Sequence, residues 1–536
     1  MSPEIVIRGG IVFDGSGREG ERADIAISDG RIAAVAPAIE GAAAKVIDAE
    51  GLAVAPGFID IKTHSDFTLP INPRADSKVR QGVTTEIIGH CGYSAAPCLA
   101  GKVELLRDYL SPSAPWLPFR AMSFPEYLDG FPPTSVNAGM LVGHHTLRLM
   151  IMGMDERAPT AAELAAMEAL LEEALAAGAL GLSSGLFTAP GAYADRDEML
   201  ALGRVLKRHD GLYFTHLRDE SNHVIAALEE AIDIAETCGI HLEIVHFKCS
   251  GIDNWGKTSQ ALALIAAARA RGVAVDLDAY PYTAGSNPLK NILPRWVQAG
   301  GVAAMLARLR QDETRARIRR EIAAEGLNNW GRIPSWDAIQ ISIAPHLPQF
   351  AGRTIAALAA ERGQDPIDTL CDFLVEDQGA TRVLVTSISE DDIRTLLCAP
   401  DALVGSDGNG VATEGVVSQG MPHPRFYGAF PRVLGRYVGQ EKIIPLALAI
   451  HKMTGATAKA LRLRDRGLLR EGWCADLTLF DPTDFIDRAT YENPHQYPSG
   501  RRTTVIVNGV PVVEEAAHTG ATPGRVLRRG QDGRVG

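Results

Sequence analysis

The chain has 536 residues, with 53 Lys and Arg against 65 Asp and Glu, a net charge of −12, and 46% hydrophobic and 22% charged residues. That is ordinary for a globular protein with a large core, and the acidic balance excludes a general nucleic-acid or anionic-membrane binder. No uninterrupted apolar run could cross a bilayer, Glu4 and Arg8 break the first apolar residues where a signal segment would need none, and cysteines number only seven. The expectation is a cytoplasmic protein with reduced thiols, no membrane partner and no nucleic-acid partner; the sequence does not set its oligomeric state.

The first ~54 residues are short strands and tight turns. Val6 to Gly15 forms one hairpin-like unit, and Asp24 to Ile32 another, with Asp29-Gly30 as its turn. From residue 55 to 464 short apolar strands alternate with helices, the pattern of a parallel sheet. Strands are expected to end near His64, His90, His145, Ser184, His216, Lys248, Asp278 and Asp407. Eight strands with intervening helices most simply make a (β/α)8 TIM-like barrel, an α/β fold. Helix punctuation agrees. Thr160-x-x-Glu163 is a capping box before a run that Gly178 stops, Asn222 is placed to cap a helix ending at Cys238-Gly239, and Ser389 with Asp392 makes the acidic start of another. Residues from about 286 to 340 break the repeat with an Arg-rich helix (Arg308 to Arg320) and a Trp330-containing loop. They are expected to be an insertion lidding the mouth, with the arginines on a solvated face among Asp312, Glu313 and Glu321. The C-terminal segment, 465–536, returns to strands at Ala475 to Asp481 and Thr504 to Val510, and ends in Arg525, Arg528, Arg529 and Arg534, read as a solvated tail. Residues 1–54 and 465–536 together suggest one small β-domain.

Chemistry-bearing residues gather at the expected strand ends. His64, Cys91, His216 and His246 are potential metal ligands and Asp407 is a fifth polar end. Each alone is weak, but all would lie on the C-terminal face of the barrel, where such folds keep their active sites. One thiolate with two imidazoles suits Zn²⁺, and three protein ligands leave a fourth position open. Lys62 and His64, two apart on a strand, share a face.

The motifs along the whole chain resemble the N-acyl-D-amino-acid deacylase (D-aminoacylase) family of the amidohydrolase superfamily. They include Gly9 to Gly17, Ala55 to Asp60, Gln81 to Thr85, Gly89-His90-Cys91-Gly92, Gly143 to Arg148, Thr215 to Glu220, His246-Phe247-Lys248, Tyr280-Pro281-Tyr282, Gly405 to Gly408 and His423 to Gly428. The resemblance implies a zinc-dependent hydrolase that cleaves the N-acyl amide of a small N-acyl-D-amino acid with a metal-activated water. It implies a tight zinc at Cys91, His216 and His246, Asp407 as general acid/base, and His64 in a second, weaker metal position. Lys248, Arg218 and Arg425 become candidates for the substrate carboxylate, with Tyr282 and His144 as further substrate-side residues.

Two residues depart from the family pattern. The family's His-x-His signature on the first strand is Lys62-Thr63-His64 here, and the usual Asn before the cysteine is His90. A protonated lysine cannot ligate metal, so one tight zinc and a weak or absent second site are expected. Its ammonium would put a positive charge where relatives hold a second ion. Two alternatives remain at this stage. One is a cyclic amide hydrolase of the hydantoinase or dihydroorotase type, which would carry a carboxylated lysine on a middle strand; Leu180 to Ser184 offers none. The other is a non-catalytic amidohydrolase-like binding protein.

Overall fold

The apolar runs between helices become eight parallel strands in the computed structural model, which describes residues 3–536. They are Phe58–Asp60, Val83–Ile88, Asn137–Gly143, Gly181–Gly185, Leu212–His216, His241–Ile244, Val275–Ala279 and Ala402–Val404, each hydrogen-bonded to its neighbours in sequence order. All but two of their residues are buried, as strands of an all-parallel barrel must be. The ring closes just beyond the regular ends of the first and last strands. Asp407 N–H donates to Lys62 O at 2.8 Å and His64 N–H to Gly408 O at 3.1 Å. Beneath this seam Lys78 Nζ donates to Asp60 Oδ2 (2.7 Å) and Ser406 Oγ (2.8 Å), while Asp60 Oδ1 accepts from Ser406 N–H. The first-strand aspartate therefore fixes the residue directly before Asp407.

The outer helices follow the sequence punctuation with one exception. Thr160 and Glu163 form the full capping box of Ala161–Ala176, Ser389 caps Glu390–Cys398, and Gly239 ends Val224–Cys238 at φ 62°. Asn222 does not cap that last helix. Its amide donates to Glu325 O (2.8 Å), and the Asp219 carboxylate takes the N–H groups of Ser221 and His223 instead.

Strands from both ends of the chain build one nine-stranded sheet, in which Ala53–Pro56 pairs antiparallel with Leu477–Phe480. The insertion is larger than 286–340. Ala284–Pro288, Ile339–Ile343 and Arg382–Thr386 form a three-stranded antiparallel sheet, with four helices between Val302 and Glu376. Its second half, helices followed by the apolar strand Arg382–Thr386, carries the same pattern as a barrel repeat, which hid the true end. Of the Arg-rich helix only part is a solvated face: Arg317 pairs with Glu321 (2.7 Å) on its own helix, but Arg315 and Arg319 reach across to Asp372 (2.5 Å) and Asp368 (2.7 Å) of the helix Pro366–Glu376 and pin the two together.

The C-terminal arginines are not a free tail. Val526–Leu527 adds in parallel to the barrel strand Asn137–Gly143, and Arg529 Nη2 donates to Leu175 O (2.8 Å). The seven cysteines are all free, and among the described residues no helix is long and apolar enough to cross a membrane.

Candidate metal centre and active site

The C-terminal ends of the second, fifth and sixth barrel strands bring Cys91, His216 and His246 together. Cys91 Sγ lies 3.7 Å from His216 Nδ1 and 3.3 Å from His246 Nε2, and all three residues are buried. A tetrahedral zinc with bonds of about 2.3 Å to sulfur and 2.0–2.1 Å to nitrogen needs ligand separations of about 3.5 Å. The donor set fits zinc in chemistry and in spacing. Burial pushes the Cys91 thiol up to about 12, so the thiolate needs a cation beside it. Burial and the neighbouring Lys248 keep His246 neutral, and burial also lowers His216, as ligation requires.

The backbone is bent to make this site. Cys91 (φ 56°), His246 (φ 40°) and Asp407 (φ 52°) all occupy the left-handed region, at roughly 1–3 kcal/mol of strain each. Asp278 Oδ1 accepts His246 N–H at 3.0 Å and holds that turn. At the last strand the turn is made by Asp407 itself rather than by Gly408, whose φ is not positive.

Asp407 faces the triad across the mouth. Its Oδ1 accepts from Lys62 Nζ and its Oδ2 lies 2.7 Å from Arg425 Nη1. Burial alone would raise its pKa, but Arg425 and Lys62 overcome that and hold the carboxyl well below the usual range. His423 places Arg425, accepting the Arg425 N–H at Nδ1 (3.0 Å) and donating from Nε2 to Ala284 O (2.9 Å) in the inserted sheet.

The second metal position of the family does not fit. Lys62 Nζ is 2.7 Å from His64 Nε2 and bonded to Asp407 Oδ1, so it uses the two lone pairs that an ion there would need. His64 is neutral, with burial and the Lys62 ammonium pushing it down to about 3. His90 is buried behind Cys91, edge-on to Phe214 (5.2 Å), and neither ring nitrogen has a partner.

Three residues expected on the substrate side lie elsewhere. Arg218 forks onto Glu230 (2.8 Å) and the carbonyls of Ala192 and Ala194, outside the cavity. His144 bonds Glu198 (2.7 Å) in a buried network with Arg148. Tyr282 packs between His423 and Arg432 behind the wall. Lys248 does line the cavity, but it is committed to Glu220 Oε1 (2.7 Å).

The structure adds two residues that the sequence alone did not single out. Glu220 sits four residues beyond His216, a spacing visible in the Thr215–Glu220 motif, and contacts both ligand histidines. Arg382 opens a strand of the inserted sheet and lines the cavity; nothing in its sequence context marks it. It donates to Ser113 Oγ (2.7 Å) and Ser286 Oγ (3.3 Å) and has no acidic partner among the described residues. The remaining walls are largely aromatic, with Phe67, Tyr93, Trp116, Phe187 and Trp330 prominent.

The amidohydrolase family profile matches residues 45–513. The D-aminoacylase of Alcaligenes xylosoxydans xylosoxydans is 38% identical over 528 residues, covering 98% of each chain. The solved N-acyl-D-glutamate deacylase of Bordetella bronchiseptica, complexed with zinc and a phosphonate mimic of the tetrahedral intermediate, superposes with a TM-score of 0.82 at 33% identity, covering 98% of this chain and 100% of that one. A solved D-aminoacylase, described as having a binuclear centre activated by one metal and attenuated by a second, superposes equally well at 35% identity, with the same coverage. The chain belongs to the amidohydrolase family, in its N-acyl-D-amino-acid deacylase branch.

Proposed function

We propose that the protein is a zinc-dependent hydrolase that cleaves the N-acyl amide of an N-acyl-D-amino acid, using one tightly held zinc. The observation that carries this is the buried Cys91–His216–His246 triad, set beside an ionised Asp407 at the base of an aromatic cavity. Zinc held there supplies the Lewis acidity that makes water nucleophilic near neutral pH and polarises a carbonyl. Asp407 takes the proton of the attacking water and delivers it to the leaving amine nitrogen. Lys62 and Arg425 keep Asp407 ionised between those transfers. Arg382, the cavity cation without an acid, receives the substrate carboxylate, and the aromatic walls exclude water from the acyl and side-chain groups. A reducing cytoplasm suits the seven free thiols. A cyclic-amide activity is disfavoured because the fourth strand, Gly181–Gly185, presents Ser183 and Ser184 and no lysine.

Metal analysis combined with a panel of N-acetyl-D- and N-acetyl-L-amino acids tests the reading. Turnover of D-substrates by protein holding one zinc per chain is expected. Zinc-replete protein that hydrolyses none of them but opens hydantoin or dihydropyrimidine rings would replace this function with the cyclic-amide one.

The single zinc follows from Lys62. Removing its ammonium and restoring an imidazole should create a second position, so Lys62→His is expected to take up two ions in zinc titrations where the native chain takes one. Two tightly held ions in the native protein, or unchanged uptake in the variant, would remove Lys62 as the determinant.

A further inference from the structure

The two histidine ligands present different nitrogens toward Cys91, and this sets a demand on the rest of the site. His216 turns Nδ1 inward and His246 turns Nε2 inward. With those atoms on a metal, His216 Nε2 and His246 Nδ1 must each carry a hydrogen, and each needs an acceptor. One carboxylate stands between them. Glu220 Oε2 is 3.2 Å from His216 Nε2, and Glu220 Oε1 is 3.2 Å from His246 Nδ1. No other acceptor competes. The other polar group near His246 Nδ1 is Lys248 Nζ (2.8 Å), and the one near His216 Nε2 is Asn329 Nδ2 (3.0 Å); both are donors, so once the two nitrogens carry hydrogens both must turn their N–H groups to Glu220, which each already contacts.

Asn329 has a different task. Its Nδ2 donates to Glu220 Oε2 (3.2 Å) and its Oδ1 accepts Glu220 N–H (2.9 Å), so both ends of one amide grip the same glutamate. Reversing the amide would set its nitrogen against the Glu220 N–H and its oxygen against the carboxylate, so this orientation is the one that satisfies both. Asn329 lies in the inserted unit, at φ 66° in the turn closed by Leu327 N–H to Gly331 O (2.8 Å). Beside it Trp330 packs edge-on to Phe187 (6.3 Å), which stacks on His216 (3.8 Å between ring centres). Glu220 and Asn329 are both buried.

We propose that Glu220 is the positioning residue shared by both imidazole ligands, and that Asn329 locks it, so that zinc retention depends on the inserted unit. The inference rests on the zinc site proposed above. It gives the insertion a task beyond covering the mouth, because displacing the 327–331 turn would strip Glu220 Oε2 and its backbone N–H of their partner and leave the side chain held by Lys248 at Oε1 alone.

Zinc affinity of the full-length protein, measured by competition with a chromophoric chelator, tests this without reference to turnover. Glu220→Gln keeps the shape but has one acceptor oxygen for the two imidazoles and sets an NH2 donor against the other, and a loss of about 10–100-fold in affinity is expected. Asn329→Ala should weaken zinc by a smaller factor, several-fold. Because Asn329 acts through Glu220, adding it to Glu220→Gln should change affinity by less than about twofold. Glu220→Asp, which keeps an acceptor, should recover part of the loss. If Glu220→Gln fails to fold, Asn329→Ala and Glu220→Asp carry the test. Zinc affinity within threefold of native in all the soluble variants would overturn the proposal, as would an Asn329→Ala effect of equal size with and without the Glu220 carboxylate. A native chain that binds no zinc would instead overturn the functional reading beneath it.

Discussion

Asp407→Asn is expected to keep its zinc and lose on the order of 10²–10⁴ in kcat. Asparagine fills the same space and can still accept a hydrogen bond from Lys62, but it cannot take a proton from water or return one to an amine. Asp407 is also the partner of two buried cations, Lys62 and Arg425, so a purely structural role has its own signature. Removing the anion from such a cluster costs about 3–5 kcal/mol of stability, which would lower the melting temperature and leave the rate of the folded fraction intact. Rates measured well below the melting temperature, normalised to zinc content, separate the two. A zinc-loaded Asp407→Asn protein turning over at more than about a tenth of the native rate would sink the acid/base assignment.

What could be read from sequence followed the physics of local signals. The eight barrel strands were legible because each is a short apolar run with a polar residue at or just past its end, and the three candidate ligands because they stand at three of those ends. Glu220 was half legible, since its motif was plain but not its reach across to His246. The inserted unit was legible only where it broke the repeat. Past residue 340 its helices and the strand Arg382–Thr386 imitate the βα pattern, and antiparallel pairing with Ala284–Pro288 leaves no trace in periodicity. Arg218 and His144 failed as substrate residues for another reason. A cation or imidazole in a family motif looks the same whether it faces the cavity or an acid on the outside, and their partners, Glu230 and Glu198, lie 12 and 54 residues away. The role of Lys62 was legible as a chemical mismatch, but not its bond to Asp407, 345 residues distant.

Arg382→Met is expected to cut kcat/KM for an N-acyl-D-amino acid on the order of 10²–10³, and to leave the corresponding C-terminal amide almost unchanged. The argument is a count of charges in the cavity. Lys248 is neutralised by Glu220, while Lys62 and Arg425 share the single negative charge of Asp407, which leaves one positive charge over at that pair. Arg382 remains, bonded to two serine hydroxyls, with burial and the nearby Arg425 pushing its pKa down to about 10. A half-buried cation without an anion is costly, and a ligand carboxylate relieves that cost on binding. Truncating one side of such a pair typically costs about 2–5 kcal/mol, which gives the fold-change above at about 1.4 kcal/mol per decade. In the alternative, Arg382 only pins the inserted sheet to Ser113; Arg382→Met would then lower the melting temperature and slow acid and amide substrates by the same factor. That equal loss is the result that would remove Arg382 as the reader of the substrate's acid.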